Sequence, residues 1–318
     1  MANKQKIFFR ADASAELGYG HFIRTLALAD MLKEDFECVF YTQAPSEYQR
    51  KECEKVCKLV ELPTDETRFH LFLDGLQGDE IVVLDNYFYA TEYQKAIKSK
   101  SCKLVCIDDM HDKHYVADAV VNHGPVTEDE FDCEPYTKLY LGDGYKLLRK
   151  PFLQPLSNKQ RNSTAVVNLG GADPFKLTDK VVSLLLQAGT PYHVLVILGD
   201  TVYLSEDNRE KVEVRSRLSA EQMAELFETS SLGILPASTV SIEAGSRGLP
   251  LLIGYQIDNQ EEGYRSSAQN GLFIPLGNLH QLTQETLNAA IEQLRIFKPI
   301  IPDYSSVPKN FIKLFHSL

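Results

Sequence analysis

No stretch of this chain approaches the roughly 20 consecutive apolar residues that a helix needs to cross a bilayer. The first apolar run, Ile7-Phe8-Phe9, follows a polar opening and is too short for the core of a signal peptide. A soluble cytoplasmic protein with no membrane partner is expected. Paired cysteine spacing is missing too. Cys38, Cys53, Cys57, Cys102, Cys106 and Cys133 form no C-x-x-C pair, so the usual zinc and redox spacings are absent and reduced thiols are expected. Basic charge is in short supply. With 44 acidic against 33 basic side chains the net charge is -11, which leaves no basic excess for a polyanion, so nucleic acid is not an expected partner. An anionic small molecule held by a few local amides remains compatible with that balance.

What is present is a globular composition, 44% hydrophobic and 24% charged, in a chain of 318 residues, long enough for two ordinary domains. Short apolar runs alternate with longer amphipathic stretches, the pattern of a parallel sheet covered by helices. In the first half the strand candidates are Lys6–Arg10, Glu37–Tyr41, Ile81–Asp85, Lys103–Ile107 and Ala119–Val121. The helix candidates there are His21–Lys33, Ser46–Cys57, Glu66–Leu76 and Thr91–Ser99. Residues 150–164 are polar, contain two prolines and lack periodicity, as a linker does. The alternation then restarts. Its strand candidates are Ala165–Leu169, His193–Leu198, Lys211–Val214, Leu232–Leu235 and Pro250–Gly254. Its helix candidates are Phe175–Gln187, Ala220–Glu228, Val240–Arg247, Asn259–Asn270 and Gln281–Ile296, with a last helix near Pro308–Ser317. Two α/β domains without a sequence repeat are expected, with ligands bound at the carboxyl ends of strands in an interdomain cleft.

Chemistry concentrates at predicted strand ends. The first strand runs into Arg10-Ala11-Asp12, and a glycine turn, Gly18-Tyr19-Gly20, leads to His21 and Arg24 at a helix start. Strand, glycine turn and helix present backbone amides to phosphate or carboxylate groups. A dinucleotide fingerprint fails on two counts. Ile23 stands where the third glycine belongs, and the second strand ends Phe40-Tyr41-Thr42 with no acid. No cofactor is expected.

His21 is the sharper feature. The positive end of a helix disfavours imidazolium, so a neutral ring able to accept a proton is expected there; the plain alternative is a histidine that only hydrogen-bonds its loop. Asp85-Asn86-Tyr87 and Asp108-Asp109 end two further strands, where loop and cap chemistry is the ordinary explanation of each alone. Arg149 precedes the linker. In the second half, Asn168-Leu-Gly170-Gly171-Ala-Asp173-Pro174 lets the backbone approach a ligand, or forms a tight turn with Asp173 capping a helix that begins at Pro174. Ser238-Thr239-Val240 opens another helix whose free amides suit a diphosphate, with Glu243 one turn in to hold ribose hydroxyls. Asn259 and Gln260 start the next helix. No H-x-x-x-H or clustered ligand set is present, and no metal is expected.

Together these motifs resemble the UDP-2,4-diacetamido-2,4,6-trideoxy-β-L-altropyranose hydrolases of pseudaminic acid biosynthesis. The likeness starts with Arg10-Ala11-Asp12-Ala13-Ser14 and Gly18-Tyr19-Gly20-His21-Phe22-Ile23-Arg24. It continues in order through Asp85-Asn86-Tyr87, Asp108-Asp109, Asn122, the Gly142 to Arg149 segment, Gly170-Gly171, Ala237-Ser238 with Glu243, and Asn259-Gln260. The glycine-histidine-arginine opening is its most specific part. The glycine pair and the helix glutamate are shared more widely with GT-B glycosyltransferases, including the N-acetylglucosaminyltransferase of peptidoglycan synthesis.

The resemblance implies a GT-B fold. Residues 1–152 would form a sugar-side Rossmann-like domain, 163–300 a UDP-binding one, and 301–318 a helix packing back on the first. It implies an inverting, metal-independent hydrolysis of a UDP-sugar; a monomer is expected. His21 matches the catalytic histidine. Asp12, Gly20, Arg24, Asn86, Tyr87, Arg149, Asn259 and Gln260 match the sugar side. Gly170, Gly171, Ser238, Thr239, Val240 and Glu243 match the nucleotide side. A glycosyltransferase, with an acceptor hydroxyl in place of water, would use the same residues, and a non-catalytic UDP-sugar binder would keep the fold without turnover. The chain departs from compact members by extra length in Pro45–Gly78 and Leu198–Arg217. Ala11 stands where some relatives carry serine, and Asn86 where some carry histidine.

Overall fold

The computed structural model describes residues 4–13, 19–157, 159–171, 173–199, 202–257 and 260–318. Ser14 and Gly18 of the opening motif, and Asn259, lie outside them. The chain divides into two compact units, Met1–Lys150 with Tyr304–Leu318, and Pro151–Asp303.

The first unit is built on strands β1 (Lys6–Arg10), β2 (Glu37–Gln43), β3 (Lys58–Leu62), β4 (Ile81–Leu84) and β5 (Lys103–Ile107), followed by β6 (His114–Tyr115), β7 (Ala119–Asn122), β8 (Asp132–Cys133) and β9 (Lys138–Leu141). Seven of them make one parallel sheet in the order β3-β2-β1-β4-β5-β7-β9, while β6 and β8 pair separately. Central strands of a parallel sheet are covered on both faces, so they read as unbroken apolar runs; Ile81-Val82-Val83-Leu84 is buried throughout. Helices α1 (Gly20–Leu32), α2 (Glu47–Glu54), α3 (Thr67–Asp74) and α4 (Thr91–Ser99) supply the crossovers. Ser46 and Gln49 start α2 with a reciprocal capping box.

The second unit carries β10 (Thr164–Val167), α5 (Leu177–Gln187), β11 (His193–Leu198), α6 (Glu206–Arg209), β12 (Glu213–Ser216), α7 (Ala220–Thr229), β13 (Leu232–Pro236), α8 (Thr239–Ser246), β14 (Leu251–Tyr255), α9 (Glu261–Gln269), β15 (Ile274–Asn278) and α10 (Gln284–Gln293). Its sheet is parallel in the order β12-β11-β10-β13-β14-β15. Leu177, Val181, Val182 and Leu185 recur along one face of α5 and join Val167, Val196 and Ile234 in its core. The last helix, α11 (Val307–His316), belongs to the first unit and packs on α1. Its buried Phe311 meets Tyr145 and its Phe315 meets Phe36.

Several elements differ from the sequence expectation. β3, β9 and β15 do not appear among the expected strands, and all three are sheet edges; the short pair β6 and β8 is also unexpected. β3 is largely half-exposed, which weakens its apolar signal. β15 contains Pro275 and Gly277, residues that argue against a strand unless it lies at an edge, as this one does. The stretch expected to be a linker is tied to the second unit. Phe152 is buried against Phe227, Arg247 donates to the carbonyls of Phe152 and Gln154, and Arg161 donates to those of Ser230 and Gly248. Those partners lie far along the chain, so composition carries no trace of them.

Candidate active site

In the first sheet β1 lies between β2 and β4: the chain runs outward from β1 through β2 to β3, then crosses back to β4 on the other side of β1, so the strand order reverses there. Parallel α/β sheets open a crevice at the carboxyl ends of two such strands. Asp12 follows β1 and Asn86 follows β4, and the two are clamped reciprocally. The Asp12 amide donates to Asn86 Oδ1 at 2.7 Å, and Asn86 Nδ2 donates to the Asp12 carbonyl at 3.1 Å. The Asp12 carboxylate receives the Arg10 guanidinium on both oxygens, the Gln43 amide at 2.9 Å and the Thr42 hydroxyl at 3.3 Å. Arg10 and Asp12 are fully buried. Asp12, expected on the sugar side, thus has its carboxylate engaged inside the unit, where it locks β1 to β2 and, through Asn86, to β4.

His21 lies in the first turn of α1, which has no side-chain cap at Tyr19. Its Nδ1 is 2.7 Å from Asp85 Oδ1 at the end of β4. The same carboxylate accepts from Arg24 Nε at 2.7 Å, Arg24 Nη2 at 2.5 Å and the Thr25 hydroxyl at 2.7 Å. Arg24 also reaches Asp109, after β5, with Nη1 at 2.7 and 2.5 Å from its two oxygens. Burial by itself would raise the Asp85 carboxyl, but Arg24 and His21 outweigh it and hold that group well below the usual carboxylate range. Burial likewise opposes the Arg24 charge, and Asp109 and Asp85 overcome it, so the guanidinium is held even more firmly cationic. Arg24, expected on the sugar side, is buried between two carboxylates.

The side chain of His21 is 9% exposed. Tyr87, itself 44% exposed, stands edge-on to the imidazole with ring centres 4.6 Å apart. With Nδ1 directed at Asp85, the neutral tautomer that donates from Nδ1 leaves the lone pair on Nε2. Gly20 has no left-handed backbone to justify it, and among the described residues a Cβ there would meet no atom within 4 Å. Arg149 is partly buried in the segment ahead of a short 3-10 turn, Lys150–Leu153.

In the sequence Asp85 and Asp109 carry the family likeness but taken alone have an ordinary loop-and-cap explanation, and nothing marks Thr25. The available signal was the pair of acids on neighbouring strand ends within reach of a helix arginine. His123, after β7, carries no motif signal in the sequence. The Leu147 amide donates to its Nδ1 at 3.3 Å, and desolvation with Lys146 beside it pushes this imidazole down to about 3.

In the second sheet the corresponding reversal lies between β10 and β13. Gly170 adopts φ 110°, a conformation favouring glycine, and its amide donates to Asn168 Oδ1 at 2.9 Å. A Cβ on Gly199, after β11, would lie 2.1 Å from the Gly171 carbonyl oxygen, so the two loops touch backbone to backbone. The helix after the glycine pair begins at Leu177, later than Phe175 or Pro174, because Lys176 turns into the left-handed region at φ 57°. Asp173 fills its N-terminus, accepting from the Leu177 and Thr178 amides at 2.9 and 2.7 Å. The start of α8 differs. Ser238 precedes Thr239 and Val240 in extended conformation and gives no side-chain cap, so among the described residues no cap competes with an anion for the first-turn amides. Glu243 is buried further along α8. Gln260 precedes α9 and its Oε1 accepts from the Gln256 amide at 2.9 Å, while Gln256 Nε2 donates to the Leu169 carbonyl beside the glycine pair.

Two parallel α/β sheets, each with polar groups at its strand reversal, define the class of protein: the fold is GT-B. Solved glycosyltransferases share it over nearly the whole chain. Acinetobacter baumannii MurG matches 99% of this chain and 100% of its own with a TM-score of 0.64, and a UDP-glucosyltransferase from Polygonum tinctorium matches 99% and 94% with a TM-score of 0.62. Both are 12% identical, a likeness of fold alone.

Relatives by sequence are more particular. The uncharacterized protein MJ1062 of Methanocaldococcus jannaschii is 27% identical over 81% of this chain, which covers only 57% of that protein. The spore coat polysaccharide biosynthesis protein SpsG of Bacillus subtilis is 26% identical over 87% of this chain and 85% of its own. The UDP-2,4-diacetamido-2,4,6-trideoxy-beta-L-altropyranose hydrolase of Campylobacter jejuni is 24% identical over 75% and 87%. No protein-family model matches the chain.

Proposed function

We propose that this chain is a nucleotide-sugar enzyme that hydrolyses a UDP-activated diacetamido-trideoxy sugar at its anomeric carbon, in the biosynthesis of a surface sugar. The observation that carries the reading is the 2.7 Å contact between His21 Nδ1 and a buried carboxylate, Asp85. A carboxylate at one ring nitrogen orients the imidazole and leaves the other to take a proton. The name of the Campylobacter relative supports the substrate class, and that of the Bacillus relative supports surface-polysaccharide biosynthesis.

In this reading water attacks C1 and gives its proton to His21 Nε2. The C1–oxygen bond to the diphosphate breaks with inversion, and UDP leaves with the bonding pair. The amides of Thr239 and Val240 with Ser238, and the Gly170-Gly171 loop, receive the diphosphate charge, since preorganised donors stabilise charge as it develops. Glu243 holds the ribose. Gly20, Tyr87, Arg149, Asn259 and Gln260 contact the sugar, whereas Asp12, Arg24 and Asn86 build the edge on which His21 stands. A transferase using an acceptor hydroxyl in place of water is the second reading, favoured by the shared fold with glycosyltransferases.

Incubation with a panel of UDP-di-N-acetylamino sugars separates the two. Hydrolysis releases UDP and free sugar with no acceptor present, and release that depends on an acceptor establishes the transferase. His21→Asn is expected to lower kcat by about 10²–10⁴-fold while UDP still binds. Near-normal turnover by that variant rejects the role of His21.

A further inference from the structure

Five side chains from three segments close a circuit beside the proposed base. Asp85 Oδ1 is shared by His21 Nδ1 at 2.7 Å and Arg24 Nη2 at 2.5 Å. The other arm of the same guanidinium is bound to both oxygens of Asp109. Tyr87 returns the circuit to its start, its hydroxyl 3.4 Å from Asp109 Oδ2 and its ring edge-on to the imidazole. The two acids are not equivalent. Asp85 is sealed, whereas the Asp109 side chain keeps 29% exposure. Arg24 Nη2 also approaches His21 Nδ1 to 3.2 Å, so cation and imidazole compete for one carboxylate oxygen.

We propose that Asp109 is a positioning residue: by holding the outer arm of Arg24, whose inner edge is bound to both oxygens of Asp85, it adds a second negative charge beside the guanidinium, and so sets both the electrostatic field at His21 and the pose of Tyr87. With neutral His21, the charges of Asp85, Asp109 and Arg24 sum to one negative, which favours proton capture by the ring. Without Asp109 they sum to zero, because Asp85 alone balances Arg24, and the net negative charge beside the imidazole is lost. Other groups facing the cluster are His123 after β7 and, beyond it, Lys146; neither replaces the lost negative charge. Burial opposes ionisation of Asp109, and Arg24 overcomes it to hold the carboxyl below its ordinary range, so the restraint is present at neutral pH.

This inference rests on His21 being the base, and its test has one arm independent of turnover. In the full ligand-free chain, the titration of His21 is followed by NMR in wild type and Asp109→Asn. The midpoint is expected to move to lower pH by about one unit. The acid limb of kcat/KM for UDP-sugar hydrolysis is expected to move with it. Asp109→Glu keeps the charge and is expected to bring both back towards wild type. A midpoint displaced by less than about 0.3 unit in folded Asp109→Asn, or displaced equally in Asp109→Glu, overturns the proposal. Asp109→Ser carries the same measurement if the asparagine variant does not fold. If the wild-type chain releases no UDP from any sugar, the hydrolase reading fails, while the titration still decides the coupling of Asp109 to His21.

Discussion

Asp85 is the residue on which most of the first unit's polar geometry converges. It lies in the interior, accepts from His21, Arg24 and Thr25, and anchors a guanidinium that is itself buried. Removing one partner of a buried ion pair leaves the other charge uncompensated, which typically costs about 3–5 kcal/mol. Asp85→Asn keeps the shape but turns one acceptor into a donor facing donors. The variant is expected to unfold at lower denaturant, with a loss of about 3 kcal/mol, and its folded fraction to lose turnover on the order of 10³–10⁴-fold through misorientation of His21. Wild-type stability in denaturant melts together with unchanged kcat removes Asp85 from the mechanism. Asp12 teaches the complementary lesson. Its place after β1 was legible as a site position, but its partners Thr42 and Gln43 are about thirty residues away and come beside it only when β1 pairs with β2.

At the scale of elements, the helix starts at α5 and α8 each offer a cap residue in sequence and differ in structure. Asp173 satisfies the first amides of α5, whereas α8 has no side-chain cap. The glycine loop ahead of α5 is shaped by the neighbouring β11–α6 loop, where Gly199 passes against Gly171. Gly199→Ala therefore forces two backbones apart. A loss of about 1–3 kcal/mol in chemical denaturation is expected, with UDP affinity falling as the Gly170-Gly171 loop shifts; isothermal titration with UDP reads the second effect. An alanine variant with wild-type stability and UDP binding would show that the loops separate freely. Interior strands were legible because burial on both faces leaves continuous apolar runs. The edge strands β3 and β15 were not, because one side of an edge imposes no such pattern.

For the whole molecule, stability should respond to acid in two ranges. His123 is pushed down to about 3 in the folded chain, against about 6.5 when unfolded, so the unfolded state takes up the proton first. Its contribution is intact above about pH 6.5 and declines as the pH falls toward the folded value. Asp85 and Asp109 are depressed carboxyls. Their contribution is present above the unfolded value near 4 and disappears as the pH drops through their folded values. Comparing wild type with His123→Gln isolates the first range. Wild type is expected to lose about 1–2 kcal/mol more than the variant between about pH 6.5 and 5. Parallel stability curves for the two would show that His123 titrates freely in the folded chain.

The amino-acid sequence alone determined the alternation of strands and helices, the polar ends of the central strands and the placement of His21 in the first turn of a helix, because each depends on periodicity or turn chemistry within a few neighbouring residues. The tertiary structure decided which polar groups face one another. Asp85 and Asp109 stand 61 and 85 residues from Arg24, and they meet it because the parallel sheet sets β1, β4 and β5 side by side with their carboxyl ends on one edge. That order arises from crossover connections and the packing of whole layers, which no local pattern encodes.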